Sequence, residues 1–106
     1  MFQLTPEAHR SLALHRAVAE QWRKHPEWRG VSIARIDRWE AQGALHAVYA
    51  GRWRSLLAFP DEEFLARIIA LDEEANDMRQ TSPVTCNLQP RERWRILKAL
   101  RSGGDE

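Results

Sequence analysis

The chain has 106 residues, 43% of them hydrophobic and 29% charged, with a formal net charge of +1. That length fits one domain with a modest core, and it excludes an enzyme that needs a deep cofactor cleft plus a separate substrate domain. The hydrophobic content excludes a disordered chain, and a charge this small sets the protein apart from strongly basic nucleic-acid binders.

Nearly every segment reads as helix. Thr5-Pro6-Glu7 is a start signal: a hydroxyl N-cap, a proline at the first helical position and an acid in the first turn. The helix that follows places Leu14, Val18 and Trp22 four apart, with His15 and Ala19 beside them. It is expected to end near His25, because Pro26 disfavours helix at the residue before it. A second helix is expected from Pro26 to about Gln42. Gly30 is a candidate early break, Trp28, Ile36 and Trp39 share one face, and Gly43 is a natural C-cap.

The third helix is expected from about Leu45 to Ala58, with Leu45, Tyr49, Trp53 and Leu56 as its stripe. Gly51 inside it marks either a close helix contact or a break. Asp61-Glu62-Glu63 places negative charge where a helix N-terminus favours it, and Phe64, Leu65, Ile68 and Ile69 form the apolar face. Asp72-Glu73-Glu74 repeats the device and starts a short helix to about Arg79. From Gln80 to Gln89 the chain turns polar and irregular, with a short strand at 84–86 as one option. A last helix is expected from Pro90 to about Arg101, with Ile96, Leu97 and Leu100 inward and Arg91, Arg95, Lys98 and Arg101 mostly outward. Residues 1–101 then form a single helical domain and 102–106 a flexible C-terminal tail. The fold class expected is all-α: a compact bundle of five or six short helices with tryptophans as core anchors.

The charge is patterned. Residues 1–60 carry nine Lys/Arg against five Asp/Glu, residues 61–81 two against seven, and residues 82–106 five against three. A basic front, an acidic middle and a basic end can satisfy one another within one fold. The single cysteine, Cys86, cannot form an intramolecular disulfide and fits a reducing compartment. No basic-then-apolar leader opens the chain, and no apolar run reaches membrane-spanning length. The expected location is cytoplasmic.

Catalytic signals are missing. No two of His9, His15, His25 and His46 are four apart, and no metal-ligand spacing, glycine-rich phosphate loop or Gly-x-Ser-x-Gly is present. No catalytic residue, metal ligand or cofactor is therefore expected; the histidines read as surface or half-buried side chains, and His15, the one with a place in the core, would there be a hydrogen-bonded packing residue. Two arginine–tryptophan clusters are left: Arg52-Trp53-Arg54 and the run from Arg91 to Arg95. Arginine and tryptophan are the residue types that most often anchor interfaces. Each cluster reads equally well as a core tryptophan with solvated arginines beside it. A nucleic-acid alternative would use Arg52, Arg54, Arg91, Arg95 and Lys98 against phosphates.

Three blocks together resemble a known group. They are Ser11-Leu12-Ala13-Leu14-His15-Arg16-Ala17-Val18-Ala19-Glu20, then Ile36-Asp37-Arg38-Trp39, then Met78-Arg79-Gln80-Thr81-Ser82-Pro83 with Pro90-Arg91-Glu92-Arg93-Trp94-Arg95-Ile96-Leu97. The chain is similar to a family of small bacterial helical proteins, some of which look like antitoxins. Those members are encoded beside nucleotidyltransferase-like toxins and neutralise them by direct binding. Thr81 stands where that pattern has a second serine, Val84-Thr85-Cys86-Asn87 where it has a small apolar-glycine turn, and Gln89 where it has a hydroxyl N-cap.

The resemblance implies a protein-binding module, the antitoxin of a toxin–antitoxin pair, whose partner is a cognate toxin. Arg79, Gln80, Thr81, Ser82 and Pro83 would then form a contact loop, with Arg93 and Trp94 orienting it or adding to the contact. Two further expectations stand beside this. The acidic stretch 61–77 would mimic phosphate in a basic pocket, and exposed helix faces would pair two copies into a homodimer.

Overall fold

A computed structural model describes residues 4–104, which contain six α-helices, two 3₁₀ turns and no strand. Helix α1, Pro6–Gln21, starts as its capping signal dictates: the Thr5 Oγ1 accepts from the Ala8 amide at 3.1 Å. It tightens into a 3₁₀ turn, Trp22–Lys24, and stops at His25, whose backbone leaves the helical region ahead of Pro26. The His25 ring then stacks on Trp28, with centroids 4.3 Å apart. Helix α2, Glu27–Ala41, passes Gly30 without a break. It is closed by Gly43 at φ 74°, with the amides of Ala44 and Leu45 bonded back to the Trp39 carbonyl.

Helix α3, Ala47–Leu57, begins two residues later than expected, because His46 is its N-cap: the Nδ1 accepts from the Val48 amide at 3.1 Å. Gly51 is exposed within it, and a Cβ built there meets no other part of the protein within 4 Å, so it marks neither a close contact nor a break. Helix α4, Asp61–Ile68, carries Asp61, Glu62 and Glu63 in its first turn. Helix α5, Glu73–Arg79, is capped by Asp72, which accepts from the Ala75 amide at 2.7 Å. The strand considered at 84–86 is instead part of a 3₁₀ turn, Thr85–Asn87, with Pro83 and Val84 buried just ahead of it. Helix α6, Pro90–Gly104, extends past Arg101 into the stretch read as a tail, of which 105–106 lie outside the described residues.

The core joins all of these elements. Leu14, Val18 and Trp22 of the first segment meet Trp28 and Ile36 of α2, Trp53 and Leu57 of α3, and Phe64 and Ile68 of α4. Trp22 packs edge-on to Trp28 and lies 4.7 Å from Phe64 between ring centroids. Trp22 Nε1 donates to Asp61 Oδ1 at 3.0 Å, and Arg29 donates to the same carboxylate and to the Leu57 carbonyl. These bonds, Arg29 first, hold the Asp61 carboxyl below the usual range. Of the five tryptophans, Trp22, Trp28 and Trp53 are buried, Trp39 is half-buried and Trp94 is exposed. Tryptophan therefore anchors the core as expected at three positions and not at Trp94. Among the described residues no helix is long and apolar enough to cross a membrane.

Gly30 and Gly51 sit in helix interiors with open space where a methyl group would go. Replacing either with alanine should raise the unfolding free energy by about 0.5–1 kcal/mol, measured by urea denaturation. Trp53→Ala should lower it by about 3–5 kcal/mol, against a change within about 0.5 for Trp94→Ala.

Candidate functional site

From Arg79, the last residue of α5, the stretch 80–89 leads to α6 without regular structure beyond its 3₁₀ turn, and Pro83, Val84 and Leu88 within it are buried. Side chains from four helices hold its main chain and polar groups. Ser11 of α1 donates to the Arg79 carbonyl at 3.4 Å. Arg35 of α2 donates from Nη1 to the Pro83 carbonyl at 2.6 Å and to Asn87 Oδ1 at 3.0 Å, and Asn87 Nδ2 donates to Ser32 Oγ at 3.0 Å. Trp53 of α3 donates from Nε1 to Thr81 Oγ1 at 3.1 Å, and that hydroxyl donates on to the Met78 carbonyl. Arg93 of α6 donates to the Thr85 carbonyl at 3.0 Å.

This geometry changes the reading of the loop 79–83. Arg79 is only 3% exposed, and its Nη1 donates to the carbonyls of Ile68 and Ala70 at 3.1 and 2.8 Å. Burial lowers the pKa of its guanidinium, while Asp72 partly offsets that effect and Arg16 adds to it. Pro83 is buried, Thr81 and Ser82 are half-buried, and Gln80 alone of the five is exposed. The segment works as an internal clasp. Nothing in the sequence marks Arg79 as an interior residue, because its partners are main-chain carbonyls, which every residue carries. Arg93, half-buried, ties α6 to the Thr85 carbonyl just beyond that loop.

His15 lies beneath the clasp, fully buried and stacked against Trp53 with centroids 6.5 Å apart. Its Nδ1 lies 2.7 Å from the Ser11 carbonyl, which can only accept, so Nδ1 carries the proton and Nε2 is left as an acceptor. Burial, with Arg79 nearby, holds the imidazole neutral and takes its pKa down to about 4, against a smaller upward pull from the Ser11 carbonyl.

The two arginine–tryptophan clusters separate. Arg54 is held by Asp37 and Glu40, both at 2.7 Å, which raises its pKa. Arg52 lies with its guanidinium carbon 5.7 Å from the Tyr49 ring centre. Both belong to α3, which packs with α2 and α4, whereas α6 packs along α1. The five cations considered for phosphate binding therefore lie on two different parts of the surface.

On α6 Arg91, Trp94, Arg95, Lys98 and Arg101 point outward at the three- and four-residue spacing that makes one helix face, and Leu100, expected inward with Ile96 and Leu97, is exposed because the end of α6 runs past the core. Trp94 is 62% exposed, the highest value among the large hydrophobic side chains described. Lys98 Nζ stands 4.7 Å from its ring centre. None of the four cations forms an ion pair with a described carboxylate. Glu92, the one acid in the first turn, faces away and accepts from Gln21 of α1.

The acidic stretch is largely occupied within the fold. Asp61 takes Arg29 and Trp22, Glu63 takes Arg67, Asp72 caps α5, and Asp77 accepts from the Tyr49 hydroxyl at 2.9 Å. Among the described residues no three His, Cys, Asp or Glu side chains gather as a metal site would need.

Because unfolded His15 protonates near 6.5 and the folded form near 4, the unfolded chain binds the extra proton between those values. Stability is therefore full above pH 6.5 and falls as the solution is acidified towards 4, by up to about 3 kcal/mol in all. Urea denaturation across that range should show the loss, and His15→Gln should flatten it. Comparisons of this chain with protein-family models, with curated proteins and with solved structures find no match, so the reading of its function rests on this geometry and on the sequence blocks above.

Proposed function

We propose that this protein is a binding module for another protein, and that α6 carries the contact. The observation behind this is Trp94, exposed at the centre of a face with four cations that have no described carboxylate partner. An exposed tryptophan costs solubility unless something covers it, and tryptophan flanked by arginine is the composition of interface hot spots. The partner surface that fits is a shallow apolar recess rimmed by acidic groups.

The resemblance of the Met78–Pro83 and Pro90–Leu97 blocks to antitoxin-like proteins supports a more specific reading. The partner would be a cognate toxin, nucleotidyltransferase-like, that is neutralised when α6 blocks or distorts its active site. In this mechanism the loop 79–83 acts from beneath, through Arg93 and Thr85, by setting how α6 sits on α1. The module itself carries out no catalytic step, and a second copy of the chain is the alternative occupant of the same face.

A nucleic-acid reading shares Arg91, Arg95 and Lys98 but loses Arg54 to its two carboxylates. The two readings part on salt. Three or four phosphate contacts would give a slope of about −3 in log K against log salt, and a tryptophan-centred protein contact would weaken far less.

Capture of partners from the native host, washed at moderate and at high salt, should retain a stoichiometric protein. Against that protein Trp94→Ala should raise Kd by about 30-fold, a loss of about 2 kcal/mol, with unfolding free energy unchanged within about 0.5 kcal/mol. Recovery of nucleic acid that elutes with salt, and no protein, would reject the proposal.

A further inference from the structure

A pocket of about 270 Å³ opens between α3, α4 and α5, away from the α6 face. Its lining is mostly apolar and includes Trp53, Leu56, Phe59, Ile68 and Met78, and Arg79 also contributes to it. The guanidinium of Arg79 is planar and can offer five hydrogens. Nη1 is spent on the Ile68 and Ala70 carbonyls. Nε and Nη2 are buried and have no hydrogen-bond partner. Those two atoms make up one edge of the guanidinium, with their N–H bonds side by side, and such an edge matches the two oxygens of a carboxylate. The Nε2 of His15 is also unpartnered, but one acceptor cannot satisfy both hydrogens of that edge.

We infer that this pocket binds a small apolar carboxylate, with its two oxygens on the Nε and Nη2 edge of Arg79 and its body against Leu56, Phe59, Ile68 and Met78. The size fits, since a dry cavity of about 150 Å³ holds benzene, and a ring or short acyl chain plus a carboxylate is correspondingly larger. The chemistry favours one negative charge over a phosphate, because a single buried guanidinium meets the anion among apolar walls. Arg52 and Arg67 also line the pocket and attract anions. Asp72 and Glu74 oppose them, although Asp72 has an oxygen committed to the Ala75 amide. Both nitrogens are buried, so the oxygens reach them only when a lining side chain moves, and Met78, unbranched and adaptable, is the one suited to give way.

The test titrates the intact protein with phenylacetate and hexanoate, and in parallel with phenylacetamide and hexanamide. Total tryptophan fluorescence, to which Trp53 in the pocket wall contributes, and the Arg79 Nε–H resonance are the readouts. The expected result is saturable binding of the acids at least about tenfold tighter than of the amides, a gap of about 1.4 kcal/mol. The acids should shift the Arg79 resonance, and Leu56→Trp, which fills the pocket from a half-buried position, should abolish binding while circular dichroism stays unchanged. Equal binding of acid and amide, no saturation of either acid by about 10 mM (a Kd weaker than any specific site would give), or acid binding that survives Leu56→Trp would each overturn the inference. The Arg79 resonance and the Leu56→Trp variant do not involve Trp94, so the outcome is independent of the α6 proposal.

Discussion

A partly buried stretch of irregular backbone has carbonyls and amides that no helix ladder satisfies, so local turns and side chains from elsewhere must supply partners. The segment from 79 to 88 imposes that constraint here. Ser11, Arg35, Trp53 and Arg93 each reach it from a different helix. The first three join parts of the chain far apart in sequence and the Arg93 bond adds α6 at short range, so together they fix where α6 lies relative to α1, α2 and α3. A neutral hydrogen bond contributes about 1 kcal/mol net, but a broken one in the interior leaves an unsatisfied group that costs about 1–3 kcal/mol. The clasp is therefore worth more to the uniqueness of the fold than its net bond energies suggest.

The same constraint divides the polar residues into those used by the fold and those left over. Arg79, Arg35, Arg29 and Arg54 all end on carbonyls or carboxylates of the protein itself. Arg91, Arg95, Lys98 and Arg101 do not, and they surround the one exposed tryptophan. Arginine counts along the sequence cannot make this separation, because each guanidinium has the same reach whichever way its helix faces. The loop 79–83 is thus largely taken up by the fold, and within the third sequence block it is the helix after the loop that presents free side chains.

Where the sequence was read well, the signal was local. Thr5-Pro6, Asp72 and Gly43 act through neighbours within four residues, so their capping roles hold whatever the tertiary structure does. The apolar stripes at Leu14, Val18 and Trp22 and at Phe64, Leu65 and Ile68 are buried as their spacing requires. Where it was misread, the deciding partner was distant. Val84-Thr85-Cys86 carries strand-forming residues, yet Asn87 is held by Arg35 and Ser32 some fifty residues away, and the stretch becomes a 3₁₀ turn. The pocket between α3, α4 and α5 has no sequence signature, because its lining comes from three helices and its polar edge from a residue that looked like surface.

By itself, then, the sequence determined the all-α class, most helix starts to within a residue and most of the core, since capping and periodicity are properties of neighbouring residues. It also singled out His15 as the one histidine with a place in the interior. Only the tertiary structure decided that Arg79 is buried, that Trp94 is exposed, and that Arg52 and Arg54 lie apart from the α6 cations. The physical reason is that helix formation is settled over one or two turns, whereas exposure depends on which faces of different helices meet. Trp53 and Trp94 have the same chemistry and similar arginine neighbours; one lies fully buried against His15 of α1 and Thr81, and the other on the outer face of a helix packed along one side.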